Sequence, residues 1–184
     1  MNVLYLRENP TYDGSQLRSH WTYDHLGCQG DAIVYFVGPA EVQPEALVDL
    51  ADKRQGDFIR AERMLHFLVE HFGVDLRSMV LRQRLLVCIA ADVLRERTTK
   101  VVERRGDDLF IDDRKLSVSI ATVSPVSGLI HLALNVSPEG APVPAIGLGE
   151  LSIDAVPVGE EIARRYADEM GQVTLACTKV RWVT

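Results

Sequence analysis

The stretch DDLFIDDRKLSVSIATVSPVSGLIHLALNV, residues 107–136, indicates the fold class more directly than any other part of the chain. Its short apolar and β-branched runs are separated by turn-forming pairs such as Asp112-Asp113 and Ser124-Pro125. Together with the preceding run at 100–105, these segments predict an antiparallel meander of short strands that ends near Ser137.

Upstream of the meander, the apolar runs 3–6 and 31–37 predict strands, the second of them ending at Gly38-Pro39. Proline at a helix-start position predicts a short helix over 44–53. Apolar residues at helical spacing over 75–97 predict the longest helix of the protein. The run 64–72 is compatible with a helix or a strand.

Downstream of the meander, the Pro- and Gly-rich segment 141–149 predicts a loop or lid. Residues 158–170 predict a helix with acidic residues in its first turn, and 173–183 a final strand. Strands followed by one long helix and a meander predict an α+β fold with a mixed, largely antiparallel sheet packed with helices. We expect residues 1–184 to form a single domain.

Composition restricts the classes of function. The net charge of −6 argues against nucleic-acid binding, which needs a surplus of Lys and Arg. No apolar run has the length of a signal peptide or a membrane span. The three cysteines are far apart and odd in number, which favours reduced thiols in a cytoplasmic protein. No HExxH or CxxC spacing indicates a metal site.

Lys115 is the first candidate for a functional residue. On a continuous strand, Lys115, Ser117 and Ser119 share one face, because side chains alternate. Leu116, Val118 and Ile120 then point the other way. A lysine followed by two hydroxyls suits an anionic or carbonyl-bearing ligand. A solvated lysine on an exposed strand is the alternative.

The neighbouring run LIHLALNV places His131 and Asn135 on one face, where they could lie beside Lys115 across the ladder. A half-exposed sheet edge would give the same pattern. His66 lies in the 64–72 run together with Glu70, and a histidine that contacts a ligand or a carboxylate is the preferred interpretation there.

A polar segment near the N-terminus supplies the remaining candidates. Gly14 permits a tight turn, and Arg18 can hold a carboxylate or phosphate through two parallel bonds. Loops often carry function, although a polar loop can also serve only for turns and helix caps. The candidates for ligand binding in this segment are Asp13, Ser15, Gln16, Arg18 and His20.

The segment DDLFIDDRKLSVS resembles the lipoate ligase signature in which an Asn-Asp-Leu strand leads into Lys-Lys-Ile-Ser-Gly-Ser. Without a gap, Lys115 falls on the lysine that contacts the ligand and the acyl-adenylate phosphate in those ligases. Ser117 and Ser119 fall on the serines, and Val118 replaces the glycine between them. The resemblance implies a carboxylate-bearing ligand and allows ATP as a cofactor.

The whole chain, from YDGSQLRSHW through GDAIVYFVGP to HLALNV, resembles domain-of-unknown-function family three-six-six. That family is grouped with the catalytic fold of class II aminoacyl-tRNA synthetases and biotin–lipoate ligases. The resemblance implies that 64–72 is a strand, and it brings no established activity.

Three hypotheses follow. The first is a ligase-like enzyme in which Lys115 holds a carbonyl, Arg18 binds an anionic group, and His66 or His131 assists. The second is an acyltransferase with Cys28 or Cys177 as nucleophile. The third is a non-catalytic metabolite-binding or assembly protein. A small-molecule ligand and a homodimer are expected under all three, and nucleic acid and membrane are not.

Overall fold

The computed structural model describes residues 1–183, and its centre is a five-stranded sheet. Its strand order is β1-β2-β3-β8-β7, with β1 and β2 parallel and the other neighbouring strands antiparallel. The strands are β1 (Asn2–Tyr5), β2 (Ala32–Val42), β3 (Ile59–Phe72), β7 (Ser117–Val123) and β8 (Ser127–Ser137). The 64–72 run is therefore part of a strand, as the family resemblance implied, and the mixed α+β sheet is confirmed.

The predicted meander is divided between two sheets. Strands β4 (Glu103–Arg105), β5 (Asp108–Ile111) and β6 (Arg114–Lys115) form a small second sheet, whereas β7 and β8 join the large one. The chain changes sheet at the fully buried Leu116. Leu116 N–H donates to Leu109 of β5 (2.8 Å), and its carbonyl accepts from the N–H of Asn135 on β8 (2.8 Å).

Within the described residues, four α-helices accompany the sheets: α1 (Trp21–Leu26), α2 (Leu50–Gln55), α3 (Leu76–Arg95) and α4 (Ala155–Thr178). Three of them begin at an aspartate whose side chain accepts a backbone N–H of the first turn, at Asp49, Asp75 and Asp154. None of the helices within 1–183 is long and apolar enough to cross a membrane.

Two predicted boundaries in the first half are wrong. Strand β2 continues through Gly38-Pro39 to Val42, because the register with β3 shifts between Gly38 and Ala40 and Pro39 occupies this irregularity. The predicted helix 44–53 is a 3₁₀ turn (Pro44–Ala46) followed by α2, because the Asp49 side chain caps a new helix at Ala51 and Asp52.

The prediction for the C-terminus is also wrong. With 24 residues, α4 is longer than the 20-residue α3, and it continues to Thr178, into the segment 173–183 that was predicted to be a strand. It also begins at Ala155, so that the acidic residues of the predicted first turn lie farther along. Each added helical residue gains a hydrogen bond, whereas the 173–178 segment meets no sheet edge.

The two faces of the large sheet have different coverings. On one face, the side chains of Tyr35, Leu65 and Leu132 pack against α3 and α4 in the main hydrophobic core. The other face carries Phe36, Leu68 and Met64, which pack against the N-terminal segment and the region before β3. We call this second face the open face, because it contains the cavity described below.

Gly159 lies where α4 crosses the sheet most closely. A Cβ atom on Gly159 would lie 2.8 Å from Leu65 and 2.8 Å from the Tyr35 ring, whereas one on Gly171, in the same helix, would meet nothing within 4 Å. We expect Gly159→Val to lower the free energy of unfolding by about 1–3 kcal/mol through overpacking. Gly171→Val is the matched control and should be nearly neutral. Urea unfolding measures both, and equal effects would contradict the close packing of α4.

Candidate functional site

A cavity of about 500 Å³ opens on the open face of the large sheet. Strands β3, β7 and β8 form its floor, and the N-terminal segment, α2 and the 141–145 segment form its walls. The lining includes apolar side chains and a small number of polar ones, as is usual for small-molecule sites. The polar and charged lining residues used below are Tyr12, Asp49, Asp52, Asp57, Arg60, Asp107, Asp108, Lys115, Ser119, His131 and Asn135.

The floor contains a pair of buried histidines on neighbouring strands. Nδ1 of His66 lies 3.1 Å from Nε2 of His131, and Nε2 of His66 lies 3.1 Å from the carbonyl oxygen of Gly38. His131 lines the cavity, whereas His66 lies behind it and is fully buried. The Tyr12 ring stacks on His131 with centroids 3.7 Å apart.

These floor residues are held in their uncharged forms. Burial lowers the pKa of His66 from 6.5 to about 4, although its contacts with Gly38 and Pro39 oppose the shift. Burial, and then the neighbouring His66, lower the pKa of His131 well below its ordinary value. Burial, followed by the nearby Asp13, raises the pKa of the Tyr12 hydroxyl. The floor is therefore polar but carries no net charge at neutral pH.

Lys115 reaches the cavity with a partner already in place. Its Nζ lies 2.8 Å from Oδ2 of Asp108, and both side chains are about three-quarters buried, with exposed fractions of 30% and 23%. The carbonyl of Lys115 accepts from Nδ2 of Asn135 (3.1 Å). Lys115 and Asn135 are thus in contact through the lysine backbone, not side by side across one ladder.

Carboxylates outnumber cations around the cavity. Five aspartates line it, at positions 49, 52, 57, 107 and 108, against the cations Lys115 and Arg60. Burial raises the pKa of Asp108, as do the nearby Asp107 and Asp52, although Lys115 opposes the shift. Burial, followed by Asp49 and Asp57, raises the pKa of Asp52. An anionic ligand meets favourable charge at Lys115 and unfavourable charge around it.

The predicted loop 141–149 forms one wall and is tied to the strands. Lys115 N–H donates to the Pro144 carbonyl (2.9 Å), and Ile146 N–H donates to the Lys115 carbonyl (3.0 Å). Leu148 N–H donates to the Asn135 carbonyl (2.8 Å). The backbone of this wall is therefore hydrogen-bonded to Lys115 and Asn135, whose side chains are among the polar groups of the cavity.

The prediction that Lys115, Ser117 and Ser119 present one ligand-binding face is wrong. Leu116 and Ser117 both point to the helix side, because the strand is interrupted between β6 and β7. The Ser117 hydroxyl accepts from Leu109 N–H (2.8 Å), and Ser119 donates to the Asp107 carbonyl (2.9 Å) and accepts from Gln83 (2.8 Å). Ser119 lines the cavity together with Val118 and Ile120, which were predicted to point away, whereas Ser117 does not line it.

Most of the predicted N-terminal candidates do not reach the cavity. The Asp13 carboxylate accepts from the N–H and the hydroxyl of Ser15, and the Gln16 amide donates to the Thr11 carbonyl and accepts from Asp13 N–H. Arg18 pairs with Asp24 (2.8 Å) and is 46% exposed. These contacts stabilise the loop itself. The segment instead contributes Tyr12, Gly14 and Leu17 to the cavity.

His20 has a structural position. It lies at the start of α1 in the left-handed conformation (φ 61°), and its N–H donates to Oε1 of the buried Glu70 (2.8 Å). Glu70 also accepts from the Thr22 hydroxyl (3.3 Å) and the Ser127 hydroxyl (2.7 Å). The carboxylate thereby holds the N-terminal segment over the sheet.

The residues that could serve as nucleophiles or metal ligands lie elsewhere or are dispersed. Cys28, Cys88 and Cys177 are free thiols, and none of them lines the cavity. Within residues 1–183, no group of three or more His, Cys, Asp and Glu side chains converges as a metal site.

Sequence reasoning missed Tyr12, Asp108 and the Gly38 carbonyl. Asp108 opens the segment matched to the lipoate ligase signature, so it could have been noticed beside Lys115. Tyr12 opens the polar segment, but nothing in its spacing indicates that it stacks on His131. The contact of the Gly38 carbonyl with His66 depends on the strand irregularity, which the sequence did not predict.

The buried histidines predict an acid-sensitive stability. The folded protein binds a proton at His66 less tightly than the unfolded chain, with a pKa of about 4 against 6.5. Stability is therefore intact above pH 6.5 and is lost as the pH falls, with His66 contributing about 3 kcal/mol of the loss. We expect His66→Gln to make the loss shallower in urea unfolding followed across pH. His25→Gln, at an exposed site on α1, is the control, and an unchanged profile for His66→Gln would contradict the assignment.

Two similar proteins come from Methanocaldococcus jannaschii and Pyrococcus horikoshi. The chain is 42% identical over 180 residues to an uncharacterised protein of Methanocaldococcus jannaschii, covering 94% of this chain and 81% of that protein. It also matches the solved structure of a protein of unknown function from Pyrococcus horikoshi, with a TM-score of 0.95 and 41% identity. That match covers 100% of this chain and 99% of the other.

More distant solved structures share the fold. A biotin protein ligase from Aquifex aeolicus in complex with biotin and ATP matches with a TM-score of 0.58 at 14% identity, covering 93% of this chain and 71% of the ligase. A putative lipoate protein ligase from T. acidophilum with bound lipoic acid matches with a TM-score of 0.57 at 14% identity. That match covers 91% of this chain and 84% of the other. At this identity, the likeness shows the fold. The family model described as Domain of unknown function (DUF366) matches residues 1–181, and the chain belongs to this family.

Proposed function

We propose that the protein is a ligase- or acyl/aminoacyl-transferase-like enzyme that binds a small carboxylate-bearing molecule in the cavity of the open face. The observation that carries the proposal is the Lys115 ammonium group at the cavity wall. It stands on the segment that resembles the lysine strand of lipoate ligases. Structures that share the fold hold biotin, ATP or lipoic acid.

Lys115 would supply the chemistry through its fixed positive charge. A preorganised cation beside a carbonyl group stabilises the negative charge that develops there when a nucleophile attacks. His131 and Asn135 would orient the ligand, and His66 would act through His131, which it holds in place.

Asp108 competes with a ligand carboxylate for the Lys115 ammonium group. The raised pKa of Asp108 makes its protonation easier, and loss of the lysine contact would raise this pKa further. Binding of a carboxylate would therefore be coupled to the uptake of a proton.

ATP serves as a probe for nucleotide binding in the cavity. A triphosphate would meet the five aspartates of the cavity wall against Lys115 and Arg60, so ATP binding would require a divalent cation as counter-charge. Arg18, which was expected to bind an anionic group, pairs with Asp24 instead.

A second candidate function is metabolite binding without turnover. It is favoured by the lack of a free nucleophile at the described cavity, because no cysteine lines it and the Ser119 hydroxyl is occupied by Asp107 and Gln83. Under either function, we infer a cytoplasmic protein that pairs as a homodimer through an edge of the large sheet, β1 or β7.

The proposal predicts that Lys115→Ala weakens the binding of carboxylate probes by tenfold or more, because a charge-assisted contact contributes about 1.5–3 kcal/mol. Isothermal titration with biotin, lipoic acid and Mg²⁺–ATP measures this effect. Lys100→Ala is the matched control, because Lys100 also pairs with an aspartate, Asp112 (2.6 Å), and does not line the cavity. Equal losses in the two variants, or no binding of any probe to the wild type, would contradict the carboxylate assignment.

A second variant tests the competition between Asp108 and the ligand. We expect Asp108→Asn to tighten the binding of the acids, since Lys115 is then free, and to abolish the coupled proton uptake. Titration in buffers of different ionisation enthalpy measures that uptake. Weaker acid binding in Asp108→Asn would show that Asp108 is itself needed to position the ligand.

A further inference from the structure

The histidine pair on the floor has a fixed arrangement of protons. The Gly38 carbonyl can only accept a hydrogen bond, so Nε2 of His66, 3.1 Å away, must carry the proton of that ring. Because His66 is uncharged when buried, its Nδ1 has no proton. Nδ1 of His66 must therefore accept from Nε2–H of His131, which lies 3.1 Å away.

The same reasoning gives the protonation state of Nδ1 of His131, the last nitrogen in this series of hydrogen bonds. His131 is also fully buried in its uncharged form, so its proton is on Nε2 and its Nδ1 carries only a lone pair. The direction of the hydrogen bonds thus runs from His131 to His66 to Gly38. A single backbone carbonyl determines the chemical character of an atom two side chains away.

Nδ1 of His131 has no partner within residues 1–183, although His131 is only 2% exposed. The Tyr12 hydroxyl likewise lacks one, and Tyr12 is only 3% exposed. No side-chain nitrogen or oxygen that is completely enclosed lacks a partner in this range, so both atoms retain access to the cavity. The ring of His131 is held in place by its bond to His66 and by stacking on Tyr12.

The surroundings of this acceptor are apolar. Leu68 and Ile120 lie opposite His131 on the two neighbouring strands, and Met64 and Val118 line the same cavity. The aspartates of the lining belong to the segments around α2 and β5. A carboxylate or phosphate placed here would be repelled by the lone pair. A cation would lose its hydration against these apolar side chains, and an apolar group would leave the acceptor unsatisfied; both are costly in a buried site.

We propose that the floor of the cavity recognises an uncharged hydrogen-bond donor, the N–H of a lactam, ureide or similar amide, through Nδ1 of His131. The Tyr12 ring confines this group, and the Tyr12 hydroxyl is free to bond with its carbonyl oxygen. The inference concerns a different part of the cavity from Lys115, and it holds or fails independently of the carboxylate proposed there.

The proton arrangement is tested without any ligand. Long-range ¹⁵N–¹H NMR correlation of the wild-type protein distinguishes a protonated from an unprotonated ring nitrogen. We expect Nε2 of both His66 and His131 to be protonated and both Nδ1 atoms to be bare. A proton on Nδ1 of His131 would overturn the proposal, because the floor would then offer a donor.

Ligand preference is tested with two probes that differ only in the substituent on the ring nitrogen, which is a hydrogen in one and a methyl group in the other. δ-Valerolactam has an N–H, and N-methyl-δ-valerolactam has the same carbonyl without it. We expect the first to bind roughly tenfold more tightly, as one hydrogen bond to a buried acceptor implies, and to shift the Nδ1 resonance of His131. Equal affinities, or no response of this resonance to either lactam, would overturn the proposal.

A variant with the ring retained gives the matched comparison. His131→Phe keeps a flat ring against Tyr12 and removes the acceptor, so the preference for the N–H lactam should disappear. His25→Phe, at the exposed histidine that stacks on Trp21, should retain the preference. If His131→Phe folds poorly, the NMR measurements on the wild-type protein still test whether Nδ1 of His131 is the acceptor.

Discussion

The need to satisfy three buried polar side chains on β3 constrains much of this structure. His66, Glu70 and His71 lie on the central strand of the large sheet, and each is at most 2% exposed. A buried polar group without a partner costs about 1–3 kcal/mol, a large part of the stability of a domain. Each of the three therefore requires another segment of the chain to come to it.

The partners organise both faces of the sheet. On the open face, Glu70 holds the backbone of His20, and His66 holds the Gly38 carbonyl and the ring of His131. On the helix side, His71 bonds to the Asp31 carboxylate (2.7 Å) and to the Tyr166 hydroxyl of α4 (2.9 Å). Burial lowers the pKa of His71. For Asp31, burial raises the pKa, but the bonds from His71 and Phe72 outweigh it, and the net shift is downward.

Gly38 links the strand irregularity to the cavity. A Cβ atom on Gly38 would lie 2.3 Å from the Pro10 carbonyl oxygen, so the N-terminal segment can pass this closely only over a glycine. Two residues farther along, Tyr12 N–H donates to Pro39 and the Tyr12 carbonyl accepts from Glu41 N–H. These bonds place the Tyr12 ring on His131. The segment that departs from a regular strand thus positions both the carbonyl below the histidine pair and the ring above it.

Sequence patterns predicted the parts of the fold that depend on local periodicity. The apolar spacing of α3 and the strand character of β2 and β8 follow from the order of side chains. The direction of Ser117 could not be predicted in this way, because Leu116 pairs with both sheets and interrupts the alternation. Arg18 was misjudged for another reason, since a nearby aspartate six residues away neutralises it.

The two polar regions of the cavity impose different demands on a ligand. Asn135, whose amide binds the Lys115 carbonyl, and His131 are four residues apart on β8, which corresponds to about 13 Å. The surplus of aspartates around Lys115 weakens its attraction for an anion, whereas the floor at His131 offers a lone pair and no charge. A molecule that bears one carboxylate and an uncharged N–H group at its far end would satisfy both regions. A compact polyanion would satisfy neither, because its charges would face the aspartates at one end and a hydrogen-bond acceptor at the other.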